Sequence, residues 1–465
     1  MDSIYKVFDA IIIGAGQGGP PLATALAKAG WKVAVVERKY VGGSCINTGC
    51  TPTKTMIASA RVAHLINRAK DYGINSTSLS VDFLKVRKRK QEIVESFRDG
   101  SRNRLLSTEG LSLIEGEAHF VGKKQIEVDL TKGGKEFIEA ETIIINTGAR
   151  PSRPPIPGLD TVDALDSTSI MEINEPPRHL LVIGGGYVGL EFGQMFRRFG
   201  SDVTIVQRSK QLLSKEDQDI AGEVAEILKQ EGVEILLNTE TLIIDAPAGK
   251  KIVLTVKTGA KERTVEGSHL LVSAGRVPNT SALNLEAAGI TVDEGGYVPV
   301  NDQLETAVPG IFAIGDVNGG PAFTHISYDD FRILRRNLLE DGKAVTTGRP
   351  LPYVVFIDPQ LGRIGITEKR AKEIGHDYRV AKMPMSWVAR AIETDETNGM
   401  MKAIVDAKTG QILGAAVLGI EGGEVMAILQ VAMLGGLPYT TIRDATFAHP
   451  TLSESLNTLF GSLDG

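Results

Sequence analysis

The amino-acid sequence predicts an α/β protein with two Rossmann-like, three-layer domains and a smaller α+β domain at its C-terminal end. One pattern occurs twice: an apolar run rich in β-branched residues is followed by G-x-G-x-x-G and then by a helical pattern. The glycine motif begins at Gly14 in the first copy and at Gly184 in the second. Residues 401–419 alternate in hydrophobicity about a turn at 408–410, which favours an antiparallel sheet. The next stretch, EVMAILQVAMLGG, has helical spacing.

The first motif lies in a complete β-α-β context. Residues 8–14 read FDAIIIG, and the unbroken, β-branched apolar stretch from Ala10 to Ile13 is typical of a buried parallel strand. Gly14 permits the tight turn, Gly16 lets a pyrophosphate approach the backbone, and Gly19 lets helix and strand pack closely. The next strand, KVAVVE, ends at Glu37, which suits a ribose diol. The pattern predicts a dinucleotide-binding domain with phosphates at the helix N-terminus.

The second motif repeats this pattern in HLLVIGGGYVGLEFGQMFRRFG, residues 179–200. Its glycines are Gly184, Gly186 and Gly189. The strand DVTIVQRSK ends in Gln207 and Arg208, with Lys210 nearby, where an acid would suit a free 2′-hydroxyl. Cations suit a 2′-phosphate, so NADPH is favoured over NADH, although both cations could be ordinary surface charges. Two dinucleotides in one chain suggest that a nicotinamide passes hydride to a flavin.

Residues 42–54 read GGSCINTGCTPTK and contain both cysteines of the 465-residue chain. The alternative is that they are ordinary buried thiols. A helical pattern begins near Thr51, so Cys50 lies at a helix N-terminus, where thiolate is stabilised, and Lys54 adds positive charge one turn later. Four intervening residues can span a disulfide if the Cα atoms lie within about 7 Å. We therefore interpret Cys45 and Cys50 as a redox-active disulfide.

A candidate acid/base pair follows in AHPTLSESLN. His449 with a carboxylate partner, Glu454, suits general acid/base catalysis. The alternative is a capped helix with Glu454 in its first turn.

Bulk composition limits the classes of function. The net charge of −6 gives no general basic field for nucleic acid, and no apolar run could span a bilayer. We expect the basic run 85–90, KVRKRK, to be the solvated face of a helix whose apolar spacing is set by Phe83, Val86, Ile93 and Phe97. We expect no signal peptide, and a cytoplasmic location because the chain has so few cysteines.

Together these motifs resemble the flavin-dependent pyridine nucleotide-disulfide oxidoreductases of the glutathione reductase, lipoamide dehydrogenase and mercuric reductase group. The resemblance covers essentially the whole chain, including TIIINTGARPSRPPIPG, LVSAGRVPNT and TAVPGIFAIGDV. It implies a FAD-binding domain at 1–150 and 272–345, a NAD(P)H-binding domain at 151–271, and a dimerisation domain at 346–465.

The resemblance also implies residue roles. Cys45 would be the interchange thiol that attacks substrate, and Cys50 the thiolate that faces the flavin. Lys54 would lie beside the flavin and pair with Glu191, and Tyr187 would cover the nicotinamide pocket. Further FAD contacts are implied at Gly148 and Asp316, and a further NADPH contact at Gly275. His449, oriented by Glu454, would serve the active site of the other subunit of an obligatory homodimer.

The acceptor stays open at this point. The closest likeness is to mercuric-reductase-like flavoproteins, carried by AFTHISYDDFRIL and HPTLSESLNTLF. However, the tail NTLFGSLDG lacks the cysteine pair of the mercuric enzymes, and the chain has Phe447 where lipoamide dehydrogenases usually have histidine. The main hypothesis is an NAD(P)H:disulfide oxidoreductase acting on a small disulfide or thiophilic acceptor, with no metal-ligand set of its own. Alternatives are a Hg(II) or Cu(II) reductase, a dihydrolipoamide dehydrogenase, a thiol-independent diaphorase, and a non-catalytic flavoprotein.

Overall fold

The computed structural model describes residues 5–76, 78–246, 251–340 and 342–464. These divide into two compact units. The first comprises Met1–Thr55, Lys85–Ser152 and Gly275–Arg349, and the second Met56–Leu84, Arg153–Ala274 and Pro350–Gly465. This division into two units is different in kind from the three domains expected from the sequence, and those three domains stay a prediction.

The strands of the described residues, in chain order, are β1 (Lys6–Ile13), β2 (Val33–Glu37), β3 (Leu111–Gly122), β4 (Gln125–Leu130), β5 (Lys135–Ile145), β6 (Ala149–Pro151), β7 (His179–Ile183), β8 (Asp202–Val206), β9 (Glu234–Leu236), β10 (Thr239–Asp245), β11 (Ile252–Thr258), β12 (Lys261–Gly267), β13 (His269–Val272), β14 (Arg276–Pro278), β15 (Ile311–Ala313), β16 (Tyr353–Val355), β17 (Gln360–Gly365), β18 (Tyr378–Pro384), β19 (Met400–Asp406) and β20 (Ile412–Gly419).

The α-helices of the same residues are α1 (Gly19–Lys28), α2 (Gly43–Asn47), α3 (Cys50–Arg68), α4 (Phe83–Leu106), α5 (Tyr187–Arg198), α6 (Gln218–Gln230), α7 (Thr324–Leu339), α8 (Glu368–Glu373), α9 (Ala389–Glu393), α10 (Gly422–Leu434), α11 (Tyr439–Arg443) and α12 (Ser455–Gly461).

The first unit is built on a parallel sheet with the spatial order β15-β5-β1-β2-β3, which β4 extends by antiparallel pairing with β3 and β5. Successive β1 side chains enter different cores: Ile11 packs with the β3–β5 side, whereas Ile12 packs with α1 and α7. Both side chains are fully buried. A strand segment covered on both faces must be apolar throughout, which is why residues 10–13 are all apolar and show no alternation. The three-layer fold predicted for this motif is confirmed.

The second unit holds the second such fold and the α+β part. Strands β9, β8, β7 and β13 form a parallel sheet in that order, and β10, β11 and β12 form a separate antiparallel sheet. The C-terminal antiparallel sheet has the order β16-β17-β20-β19-β18. Its predicted turn is formed by Asp406, whose side chain accepts hydrogen bonds from the N–H groups of Lys408 and Thr409. The helix α10 packs on this sheet through Met426 and Leu429.

Part of the prediction for α4 is wrong. Phe83 is buried, but Phe97 is 54% exposed, and Lys90 in the basic run is only 1% exposed. A lysine can bury its apolar stem when its ammonium finds partners, which a charge pattern alone does not reveal. Nowhere in the described chain is a helix both long and apolar enough to cross a bilayer.

Candidate active site

The two cysteines lie in one short helix-turn-helix segment of the first unit. Cys45 is within α2, and Cys50 is the first residue of α3. Gly49 connects the two helices, and a Cβ there would lie 2.9 Å from Ser44 O, so the turn requires glycine. Neither cysteine forms a disulfide; Cys45 is half-buried and Cys50 is exposed. The helix that begins at Cys50 favours thiolate over thiol at that position.

The surroundings of the two thiols are asymmetric. The pKa of Cys45 is raised, first by its hydrogen bond with Cys50, then by burial and by the charge of Cys50, while Thr324 and Lys54 oppose the shift. The hydroxyl Oγ1 of Thr324 lies 3.4 Å from Cys50 Sγ. The raised pKa of Cys45 and the helix N-terminus at Cys50 both favour Cys50 as the thiolate of the reduced pair. The sequence analysis missed Thr324, because no local pattern marks a residue so distant along the chain.

The first glycine loop forms a tight cradle at the carboxyl end of β1. Gly14 has φ +102°, and a Cβ there would lie 2.4 Å from Asn146 O. Asn146 Nδ2 donates to Gly14 O over 2.8 Å, which fixes the loop from β5. A Cβ at Gly43 would lie 2.7 Å from the Cα of Gly16, so the redox segment approaches the same loop. Asn146 was also missed, although it lies in the segment TIIINTGARPSRPPIPG that carries the resemblance, directly after the end of β5.

Glu37 closes the other side of the loop. Its Oε2 accepts a hydrogen bond from Ala15 N and its Oε1 accepts one from Lys39 N, both over 2.8 Å. Each oxygen keeps a further lone pair with which it can accept a ribose hydroxyl. Gly19 is the first residue of α1, and a Cβ there would lie 2.7 Å from Gly14 O.

Gly148 and Asp316 also lie in the first unit. Gly148 has φ +66° and its carbonyl accepts from Asn279 N over 2.9 Å. Burial raises the pKa of Asp316, while Arg276, whose Nη2 lies 3.5 Å away, opposes the shift. A partly buried carboxylate can accept hydroxyl hydrogen bonds, as a ribityl chain requires. The glycine cradle, Glu37 and Asp316 therefore fit FAD.

The second glycine loop, in the second unit, has the same construction. Gly184 has φ +108° and a Cβ there would lie 2.7 Å from Ser273 O; a Cβ at Gly189 would lie 2.1 Å from Gly184 O. A Cβ at Gly186 would meet nothing within 4 Å, so space for a phosphate lies above it. Gln207 supports this loop, because its Oε1 accepts from Gly185 N over 2.9 Å.

The two cations predicted to bind the 2′-phosphate of NADPH are accessible to a ligand. Arg208 and Lys210 are exposed, and neither forms an ion pair with any described residue. Gly275, which the sequence analysis assigned to NADPH, belongs to the first unit, has φ +115°, and accepts from Ser152 N over 2.9 Å.

Tyr187 and Glu191 lie on α5. Tyr187 is the first residue of this helix and is 38% exposed. Glu191 is 4% exposed, and its Oε1 accepts from Phe356 N over 2.9 Å. Lys54 lies on α3 in the first unit. The pairing of Lys54 with Glu191 stays a prediction.

The predicted acid/base pair forms within the second unit. His449 Nδ1 lies 2.9 Å from Glu454 Oε2 and 3.1 Å from Oε1. With Nδ1–H donating to this carboxylate, Nε2 is the nitrogen left to exchange a proton. The imidazole is 68% exposed, so a group outside this chain can reach it.

Comparison with known proteins gives a consistent result. Residues 8–330 match the family model for pyridine nucleotide-disulphide oxidoreductases, and residues 351–460 match the dimerisation domain of the same family. The chain is 40% identical to the probable pyridine nucleotide-disulfide oxidoreductase RclA of Escherichia coli over 457 residues, which covers 97% of this chain and 98% of that protein. It is 34% identical to a mercuric reductase of Bacillus cereus, covering 97% and 70%, and to a dihydrolipoyl dehydrogenase of Thermus scotoductus, covering 97% and 96%.

A solved structure agrees with these matches. The Cu(II) complex of the HOCl-induced flavoprotein disulfide reductase RclA from Escherichia coli superposes with a TM-score of 0.90, covering 98% of this chain and 99% of that one. The dimerisation domain indicates a homodimer, consistent with the exposed apolar residues Val431 and Leu434 on α10. The chain belongs to the pyridine nucleotide-disulphide oxidoreductase family and is an enzyme that uses FAD and NAD(P)H.

Proposed function

We propose that NADPH reduces the Cys45–Cys50 disulfide and that the resulting dithiol reduces a small-molecule disulfide or another thiophilic acceptor. The observation that carries this proposal is the asymmetric thiol pair. Cys50 lies at a helix N-terminus beside the hydroxyl of Thr324, and the pKa of Cys45 is raised by its hydrogen bond with Cys50 and by burial. FAD, when bound, supplies the hydride acceptor that passes an electron pair on to the disulfide.

The chemistry of the second half-reaction follows from this asymmetry. Cys45, once deprotonated, attacks one sulfur of the acceptor disulfide and forms a mixed disulfide, and the first leaving thiol takes up a proton. Cys50 thiolate then attacks Cys45 Sγ, which expels the second thiol and restores the Cys45–Cys50 disulfide. The dithiol loses two electrons and the acceptor gains two, so the step balances.

The raised pKa of Cys45 means that its attack requires a base. We assign this role to His449 of the partner subunit, held by its carboxylate, because Nε2 is available to exchange a proton. The same histidine returns the proton to the leaving thiol. Lys54, Glu191 and Tyr187 keep the roles that the sequence analysis gave them as proposals.

NADPH is the proposed reductant because the strand that should carry a ribose-binding acid ends instead near two unpaired cations, Arg208 and Lys210. Cations on flexible stems can bind a 2′-phosphate with charge-assisted hydrogen bonds. NADH has no such phosphate, so it gains nothing from these two residues.

A metal ion is the second candidate acceptor, with Cu(II) or Hg(II) reduced at the thiol pair. The relatives favour it, because one solved relative is a Cu(II) complex and several others are mercuric reductases. The lack of any cysteine besides Cys45 and Cys50 counts against capture of Hg(II) by tail thiols. A dihydrolipoamide dehydrogenase is the remaining alternative.

The deciding experiment measures anaerobic NADPH consumption by the purified flavoprotein with oxidised lipoamide, Cu(II) and Hg(II) as separate acceptors. Wild type is compared with Cys45→Ser and Cys50→Ser. Lipoamide turnover that both variants lose establishes disulfide reduction. Turnover with a metal ion alone makes the protein a metal-ion reductase, and turnover that survives Cys50→Ser overturns the proposal in favour of a thiol-independent diaphorase.

The location and assembly follow the same reasoning. We propose that the homodimer works in the cytoplasm, because so few cysteines in a chain of 465 residues suit a reducing compartment.

A further inference from the structure

A separate cavity lies beside α1 in the first unit. Its volume is about 360 Å³, at the small end of the range for ligand-binding pockets. One side is formed by α1, another by the end of α4, and Tyr328 of α7 contributes an aromatic ring. Gly42 and Ile46 of the redox segment complete the lining, so the cavity adjoins the chain that carries Cys45.

This cavity is distinct from the dinucleotide cradle. Its lining contains none of the residues assigned to FAD, namely Gly14, Gly16, Gly19, Glu37, Lys54, Gly148 and Asp316. Gln17 is the one residue of the glycine loop that lines the cavity, and its Nε2 donates a hydrogen bond to Gly42 O over 2.9 Å. A ligand here would lie along the length of α1 and not at its phosphate-binding end.

The lining is apolar over most of its surface and positive at two points. Pro20, Pro21, Ile46 and Leu105 provide aliphatic walls. The charged residues among those that line it are Lys28 and Arg104 on neighbouring helices, and no acidic residue is among them.

These two cations lack counter-charges. Neither Lys28 nor Arg104 forms an ion pair within the described chain, although the protein has an excess of acidic residues. Arg102, two residues from Arg104 on α4, shows the contrast, because its guanidinium donates to Glu115 over 2.8 Å. The absence of acids in the lining and the unpaired cations together create a positive field over an apolar cavity.

We propose that this cavity binds an amphipathic organic monoanion. The aromatic or aliphatic body of the ligand lies against the prolines, Leu105 and Tyr328. Its carboxylate or sulfonate pairs with Lys28 and Arg104, and the guanidinium can bind a planar oxyanion in a bidentate manner. A nucleotide or other polyanion does not fit this chemistry, because most of the wall offers no polar partner.

The test is equilibrium dialysis of the FAD-loaded protein against 8-anilinonaphthalene-1-sulfonate, an aromatic monoanion, and against N-phenyl-1-naphthylamine, its neutral counterpart. We expect one sulfonate per subunit. The double substitution Lys28→Gln/Arg104→Gln should weaken sulfonate binding by about tenfold or more and leave the neutral probe unaffected. The matched control is Lys88→Gln/Arg336→Gln, which removes two exposed charges outside the cavity.

A second variant tests the location by volume. Ser101→Trp should fill the cavity and abolish binding of both probes with both cations still present, and flavin content and thermal midpoint report whether it folds. Sulfonate binding that persists unchanged in the double-glutamine variant overturns the proposal, and so does binding that persists in folded Ser101→Trp. An absence of binding to wild type, together with a changed oligomeric state in the variants, assigns the cavity to a subunit interface instead.

Discussion

Thr324 Oγ1 lies 3.4 Å from Cys50 Sγ, so the first residue of α7 contacts the first residue of α3 although they lie 274 positions apart in the chain. The hydroxyl can donate to a thiolate, and a helix N-terminus on each side adds positive potential. This contact gives the first prediction.

Thr324→Val should make Cys50 less reactive, because the variant keeps the shape of the side chain but loses the donor. A hydrogen bond to a charged group contributes about 1.5–3 kcal/mol, so we expect the alkylation rate at pH 7 to fall by about tenfold. The measurement is iodoacetamide alkylation in a Cys45→Ser background, where Cys50 is the only thiol. Thr324→Ser, which keeps the hydroxyl, should react like the parent. Equal rates for the valine and serine variants would show that the Thr324 hydroxyl does not activate Cys50.

His449→Gln should lower disulfide turnover by about 10²–10⁴-fold, the usual contribution of a positioned acid/base. Glu454→Gln should have a smaller effect, because Nδ1–H can still donate to an amide oxygen while the charge is lost. The measurement is kcat with oxidised lipoamide, with NADPH-dependent ferricyanide reduction as the control that needs no thiol. A loss of ferricyanide reduction in parallel would show that the histidine acts on the fold or the flavin and not on the thiol proton.

Arg208→Gln/Lys210→Gln should raise KM for NADPH and leave KM for NADH unchanged. Each lost cation removes a charge-assisted hydrogen bond, so about tenfold per residue is expected. The readout is the ratio of kcat/KM for NADPH to that for NADH. The exposed pair Lys88→Gln/Arg336→Gln serves as the charge-matched control, and a ratio that does not change would make the two cations ordinary surface residues.

Lys402→Met should destabilise the second unit. Lys402 is 1% exposed, and its Nζ lies 2.6 Å from Glu368, 3.0 Å from Asp217 and 3.1 Å from Asp219. Removing one partner of a buried ion pair costs about 3–5 kcal/mol. Here the loss falls mainly on Asp217, which is 9% exposed and has Lys402 as its one ion-pair partner among the described residues, whereas Asp219 and Glu368 keep Lys382. The measurement is the urea midpoint followed by circular dichroism. The partly exposed Lys382, whose Nζ also contacts Asp219, gives the control Lys382→Met with a smaller expected loss.

The same cluster predicts a pH dependence with a definite sign. Burial alone would raise the pKa of Asp217, but hydrogen bonds from Lys369 N and Lys402 outweigh it, and the pKa is lowered. A carboxyl group with a lowered folded-state pKa stabilises the fold above its unfolded pKa of about 3.9, and this stabilisation is lost as the pH falls through the folded value. Wild type should therefore lose stability below about pH 4 more steeply than Lys402→Met, and parallel profiles would contradict this assignment.

Features that depend on local geometry could be predicted from the amino-acid sequence alone. These features depend on steric limits and hydrogen bonds between residues a few positions apart. They are the two glycine loops, the end of β2 at Glu37, the start of a helix at Cys50 and the 406–410 turn. The family resemblance extended these local patterns to FAD, to NAD(P)H and to the dimer, and the comparisons support that extension.

Contacts between residues that are far apart in the chain became visible only in the folded structure. Four such features have no periodic or short-range pattern in the sequence that would predict them. They are the contact of Thr324 with Cys50, the hydrogen bond of Asn146 to the glycine loop, the hydrogen bond of Gln207 with Gly185, and the burial of Lys90. The physical reason is that the energy of such contacts depends on which surfaces the sheets and helices bring together. The residue type of a threonine, an asparagine or a glutamine does not indicate its hydrogen-bond partner, because that partner is brought close only when the chain folds.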